Sequence, residues 1–254
     1  MKKLAIVCLA MAAFVGADRT SNAAPASTTL TLTTDSGVNL DIDILGGAIT
    51  ASIPFDLTGW LDITVEHHLT QFGLSVSNDT TGLALTGANI ALSDQTIDLS
   101  AGIFGGISAE ISGAGINYLS SNGYIPLNST NGSLPYEYTF DPGGGTPTEL
   151  SIDEGLFTYL GTGGLSALLG SGTLDFASDP VEAELNPVGQ IGLVTQHVVV
   201  SDFGIVSITI SAPITFADTL LTDPVNVDAD LSGFIVATGV FVPEPSSIVL
   251  LGIA

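Results

Sequence analysis

The 254-residue sequence predicts an all-β fold, an antiparallel β-sandwich or barrel-like sheet in one large domain. Three observations predict it. Apolar and polar residues alternate with a period of two through several runs, as they do on strands buried on one face. Turn-forming dipeptides punctuate those runs. Helical periodicity is almost missing, with 165–169 the best run and too short to stand alone. Burial on one face favours antiparallel sheet over a doubly wound parallel one.

Taken in order, residues 29–34 and 38–44 read as strands separated by Asp35-Ser36-Gly37. Next, Ile49, Ala51, Ile53, Phe55 and Leu57 alternate with Thr50, Ser52, Pro54 and Asp56. Leu61, Ile63, Val65 and Leu69 then alternate with Asp62, Thr64, Glu66 and His68. Asn122-Gly123 separates 116–119 from 124–127 and suits a two-residue hairpin, because both positions tolerate positive φ. Late in the chain, Val206, Ile208, Ile210, Ala212, Ile214 and Phe216 oppose Ser207, Thr209, Ser211, Pro213 and Thr215. Val225, Val227, Ala229 and Leu231 do the same against Asn226, Asp228 and Asp230. Pro54 and Pro213 suit edge or bent positions, since proline cannot donate to a ladder. The expectation is about a dozen or more short strands. The Pro- and Gly-rich stretch 141–147 is the one clear breaker, either a boundary between two halves or a long loop in one domain. No fixed-period repeat is evident, which argues against a solenoid or propeller.

Lys2 and Lys3 precede an apolar run from Leu4 to Val15, and small residues follow. That order reads as a secretory signal peptide over 1–23, with Ala17, Ala23 and Ala26 as alternative cleavage points. The run is shorter than the roughly 20 residues a transmembrane helix needs. Removing 1–23 takes away Lys2, Lys3, Arg19 and Asp18, leaving 25 acids and no Lys or Arg. Such a chain cannot neutralise phosphates, so nucleic acid and anionic membrane surfaces are excluded as partners. It cannot form internal Lys or Arg salt bridges either, and salt or divalent cations are expected to relieve its self-repulsion. The only cysteine, Cys8, leaves with the leader. Stability must therefore come from apolar burial and strand pairing without disulfides.

At the other end, Val242-Pro243-Glu244-Pro245-Ser246-Ser247 is followed at once by the apolar residues 248–254. This segment resembles the PEP-CTERM sorting signal of exported bacterial proteins. The resemblance covers 242–254 and implies processing by a transpeptidase-like exosortase and sorting to the envelope or exopolysaccharide matrix. Pro243, Glu244 and Pro245 would be the recognition tripeptide. A Pro-flanked acid is held extended, as a protease-like groove requires. The family's full transmembrane helix and Arg-rich tail are missing, so the signal reads as truncated or degenerate. Membrane contact is then expected only transiently, through this segment. Residues 24–241 form the remaining all-β extracellular domain.

The mature chain has no lysine for a phosphate-binding loop, no Gly-x-Ser-x-Gly elbow, no His-Glu-x-x-His and no cysteine nucleophile. No catalytic or cofactor-binding residue is assigned. Three histidines remain. His67 and His68 are adjacent and on a strand face opposite ways, while His197 reads as a packed strand end. His68 shares a strand face with Asp62 and Glu66, a weak metal or acid–base set beside the plainer reading of a solvated polar face. Asp223, Asn226, Asp228 and Asp230 offer oxygen ligands of the kind Ca²⁺ takes, against the alternative of an acidic face that limits edge pairing. Tyr118, Tyr124, Tyr136 and Tyr138 cluster among Asn and Ser, which suits glycan contact or, more simply, a connector packed on the sheet.

The sequence thus points to a non-catalytic, secreted or envelope-sorted acidic β-protein. Its expected role is structural or adhesive, at the cell surface or in an exopolysaccharide matrix of biofilm type. An outer-membrane β-barrel gives the same alternation, and a carbohydrate-binding or carbohydrate-active module is the third reading.

Overall fold

The computed structural model describes residues 19–22, 25–44, 46–47, 49–72, 75–100, 102–120, 123–131, 135–140, 148–185, 190–200, 205–221 and 227–241. Residues 1–18 of the expected leader, the breaker 141–147 and the expected sorting segment 242–254 lie outside them, whereas residues 19–22 of that leader form a strand paired with residues 68–71. The strands in chain order are β1 (Arg19–Asn22), β2 (Ala26–Leu32), β3 (Gly37–Ile44), β4 (Ile49–Phe72) and β5 (Ser75–Leu92). Then come β6 (Gln95–Ser100), β7 (Gly106–Ser120), β8 (Ile125–Asn131), β9 (Tyr136–Phe140) and β10 (Thr148–Thr162). The last are β11 (Ser171–Asp175), β12 (Val181–Leu185), β13 (Gly192–Val200), β14 (Ile205–Leu221) and β15 (Val227–Phe241). A single helical turn, α1 (Ser166–Leu169), sits between β10 and β11.

The expected all-β, antiparallel fold is what the chain adopts, as one 15-stranded sheet. Its strands are longer than their sequence signals. The runs 49–57 and 61–69 belong to one strand, the 24-residue β4. Gly59, at φ +135°, lies between them inside the unbroken ladder to β5. A glycine tolerates that conformation because it has no Cβ to clash.

The sheet closes on itself. β3, β4, β5, β7, β10, β12, β14 and β15 form one circuit of ladders. β2, β4, β5, β8, β9, β13, β14 and β15 form a second. The long strands β4, β5, β14 and β15 run through both, so the two circuits share one frame. Strands on either side of the 141–147 breaker interlock, β7 with β10 and β9 with β13. The domain is single for that reason.

The apolar set of each strand turns inward. Val206, Ile208, Ile210, Ala212, Ile214 and Phe216 are all buried, as are Val227, Ala229 and Leu231 opposite them. They join one core cluster with Leu30, Leu61, Ile63, Ile90, Ile116 and Leu150. Each such side chain contributes about 1.5–3 kcal/mol on burial. The polar members of these runs face out, beside exposed apolar side chains such as Leu156, Leu160, Phe234 and Val240. Inside, two apolar cavities of about 30 and 20 Å³ are each no more than water-sized.

Local exceptions have local causes. Pro213 falls in the gap where β14 leaves β13 at Ser211 and meets β12 at Ile214. Pro54 lies where β4 pairs with β3, before the ladder to β5 begins at Leu57. Ser36 is buried because its hydroxyl donates to Val236 O at 2.7 Å and accepts from Val236 N at 2.9 Å. This ties the predicted 35–37 turn to β15.

Candidate functional site

On β4 the residues Leu61, Ile63 and Val65 are buried, so Trp60, Asp62, Thr64 and Glu66 share the outer face. Opposite them, β5 carries Gly82, Ala84, Gly87 and Asn89. The side chains of Trp60, Asp62, Glu66 and Tyr124 close over the β5 glycines. A Cβ on Gly87 would meet Asp62 Oδ2 at 3.1 Å and Trp60 Cζ3 at 3.4 Å. One on Gly82 would meet Glu66 Oε2 at 3.1 Å and Tyr124 Cβ at 3.3 Å. Each glycine therefore floors a pair made of one aromatic ring and one carboxylate. Trp60 is 39% exposed and Tyr124 41% exposed, which leaves much of both rings open to solvent.

Hydrogen bonds fix the polar side chains of this face. Thr29 Oγ1 donates to Asp62 Oδ1 at 2.5 Å. Asn89 Nδ2 donates to Asn117 Oδ1 at 2.8 Å, and Asn117 Nδ2 donates to Asp153 Oδ1 at 2.7 Å. That amide relay carries the polar surface from β5 across β7 to β10. The Tyr124 hydroxyl titrates above its ordinary value, first because of desolvation and second because the Glu66 carboxylate opposes a tyrosinate. The face offers two ring surfaces, carboxylate acceptors and amides. It suits a ligand with flat apolar faces and outward hydrogen-bond donors.

A second acidic surface lies on the ladder of β3 with β15. Asp41 of β3 stands opposite Asp230 of β15, and Asp43 opposite Asp228. These four carboxylates share the outer face of one ladder. Asp43 Oδ1 accepts from Gly47 N. Beside Asp230, where only two residue pairs join β12 to β14, a cleft of about 550 Å³ opens. Glu149, Glu182, Thr215 and Ser232 help line it, and Ser120 Oγ donates to Glu149 Oε2 at 2.7 Å. Among the described residues, no group of three or more His, Cys, Asp or Glu is arranged to hold a metal ion.

The sequence-predicted residues divide as follows. Asp62 and Glu66 do share a face; the backbone of His68 pairs with Asn22 and Asp79, and its side chain lies outside the described residues. Asp228 and Asp230 share a face too, whereas Asp223 lies outside the described residues, as do Pro243, Glu244 and Pro245. The four tyrosines do not form one contact surface. Tyr138 is a core residue, 2% exposed, which corrects its reading as a glycan contact. Tyr118 is partly buried against that core. Tyr124 alone of the described tyrosine side chains in that group is largely exposed, and the Tyr136 side chain lies outside the described residues. Trp60 was missed, although its position was readable: the single tryptophan occupies a polar-phase position next to buried Leu61. No family model, curated protein or solved structure matches the chain.

Proposed function

We propose that the protein is a non-catalytic, exported β-protein with a structural or adhesive role at the cell surface or in an exopolysaccharide matrix. Its outward faces support this reading. Carboxylates, amides and hydroxyls lie on them among exposed apolar side chains such as Leu156, Phe234 and Val240, while apolar side chains fill the core. An acid-only mature chain is also well suited to staying soluble and dispersed outside the cell. The leader and the Pro243-Glu244-Pro245 segment supply the route, with an exosortase-type enzyme as processing partner.

Fractionation of the epitope-tagged full chain in its own cell tests the proposal. The expected result is leader-free protein in the envelope or matrix fraction, displaced when Pro243, Glu244 and Pro245 are all replaced by Ala. Retention in the cytosol with the leader attached overturns it.

A further inference from the structure

We propose that the outer face of β4 and β5 is a binding surface for an amino-sugar polysaccharide, with Trp60 and Tyr124 stacking on pyranose rings and Asp62 and Glu66 accepting from hydroxyl and ammonium groups. The inference deepens the matrix role proposed above and rests on it. Three observations converge on this occupant.

The first is shape. Gly82 and Gly87 let an aromatic–carboxylate pair pack down onto the β5 backbone, while Trp60 and Tyr124 remain 39% and 41% exposed. β4 is paired along 60–65 both to β2 and to β5, so a ligand meets side-chain faces there and cannot add as a strand. Flat rings standing on a pleated surface match the flat apolar face of a pyranose better than they match a peptide side chain.

The second is spacing. Gly82 and Gly87 lie five positions apart on β5, which places the two rings roughly 15 Å from one another at about 3.3 Å per residue. A single sugar cannot reach both. An oligomer can, and joining two weak contacts on one chain strengthens both.

The third is charge complementarity. The face holds Asp62 and Glu66, and the amide relay beyond Trp60 ends on Asp153. Acids outnumber Lys and Arg 26 to 3 over the full chain. A polyuronate is repelled by such a face. A glucosamine-type polymer brings ammonium groups, which carboxylates bind as charge-assisted acceptors and which aromatic faces attract as well.

Calorimetric titration of the full chain with a defined glucosamine oligomer at about 0.15 M salt, where screening acts beyond roughly 8 Å, tests the proposal. Its N-acetylated counterpart, a polyuronate oligomer and oligolysine are titrated in parallel. The glucosamine oligomer should bind most tightly. Trp60→Ala and Tyr124→Ala, which change no charge, should each weaken it about tenfold, the equivalent of about 1.4 kcal/mol. Asp62→Asn with Glu66→Gln should abolish the preference over the acetylated form, and Glu110→Gln on β7 should change nothing. Trp60 is the only tryptophan, so its emission must also shift when the oligomer binds to the parent protein. That readout stands even if Trp60→Ala fails to fold. The proposal falls if no oligomer binds, if the acetylated form or oligolysine binds equally well, if the emission is unmoved, or if both aromatic variants stay within about twofold of the parent. Matrix-localised protein that binds no glycan would sink this inference alone, whereas a glycan-binding chain held in the cytosol would sink the matrix role alone.

Discussion

Gly59 shows how much one backbone position contributes to this fold. A Cβ there would lie 2.1 Å from Asn89 O and 3.0 Å from Ile90 Cα, at a φ of +135° that L side chains rarely adopt. Both the clash and the strain fall on the β4–β5 ladder, next to Trp60. Gly59→Ala should therefore cost about 2–4 kcal/mol, more than an ordinary surface change. Urea unfolding followed by circular dichroism would measure it, and a loss below about 1 kcal/mol would contradict the account. The glycine was visible in the sequence only as an interruption between two alternating runs. Residue order there specifies two strand-like phases, but their joining into one strand depends on β5, which lies about thirty residues further on. Trp60 is a comparable case. Its outward phase was legible, while the glycine beneath it was a property of another strand. Tyr138 is the reverse: Asn- and Ser-rich surroundings suggested exposure, and pairing of β9 with β13 turned it into the core.

At the level of the strand pair, β3 and β15 place like charges directly across from each other. Asp41 faces Asp230, and Asp43 faces Asp228. The ladder is held by what lies beneath, since Leu40, Ile42, Ile44, Val227, Ala229 and Leu231 are all buried. Apolar burial of that size outweighs repulsion worth roughly 0.2–1 kcal/mol per opposed pair. Asp41→Asn and Asp230→Asn should each raise stability by about that amount, and the double variant should gain less than the sum, because each change relieves the same contact. Thermal melts at low salt would check both expectations. Fully additive gains, or a loss in either single variant, would show that the aspartates do not oppose each other. Alternation along 225–231 was enough to place Asp228 and Asp230 on one face. Their partners Asp41 and Asp43 were not legible, because register between strands separated by most of the chain is fixed by how the sheet closes and leaves no local mark.

The whole molecule is governed by that closure. β2 and β3 near the start pair with β15 near the end, and β7 and β9 before the breaker pair with β10 and β13 after it. Neither half has a complete circuit of ladders without the other. Composition showed a Pro- and Gly-rich break at 141–147, and one domain or two were both consistent with it; only the pairing decides. The long strands β4, β5, β14 and β15 carry the same core through both circuits, so loss of either circuit exposes buried faces in the other. Unfolding should then be one transition, with far-ultraviolet dichroism and Trp60 emission giving the same midpoint. Charge sets where that midpoint falls. Carboxylates that outnumber Lys and Arg 26 to 3 repel more strongly in the compact state than in the open chain, so screening favours folding. Between about 0.01 and 1 M salt the screening length drops from roughly 30 to 3 Å. The melting temperature should climb across that range by at least about 4 °C, the shift that 1–2 kcal/mol gives a protein of this size. Two separated transitions would mean that the circuits are independent bodies. A melting temperature indifferent to salt would mean that the acidic surface exerts no net strain on the fold, and that apolar closure alone sets its stability.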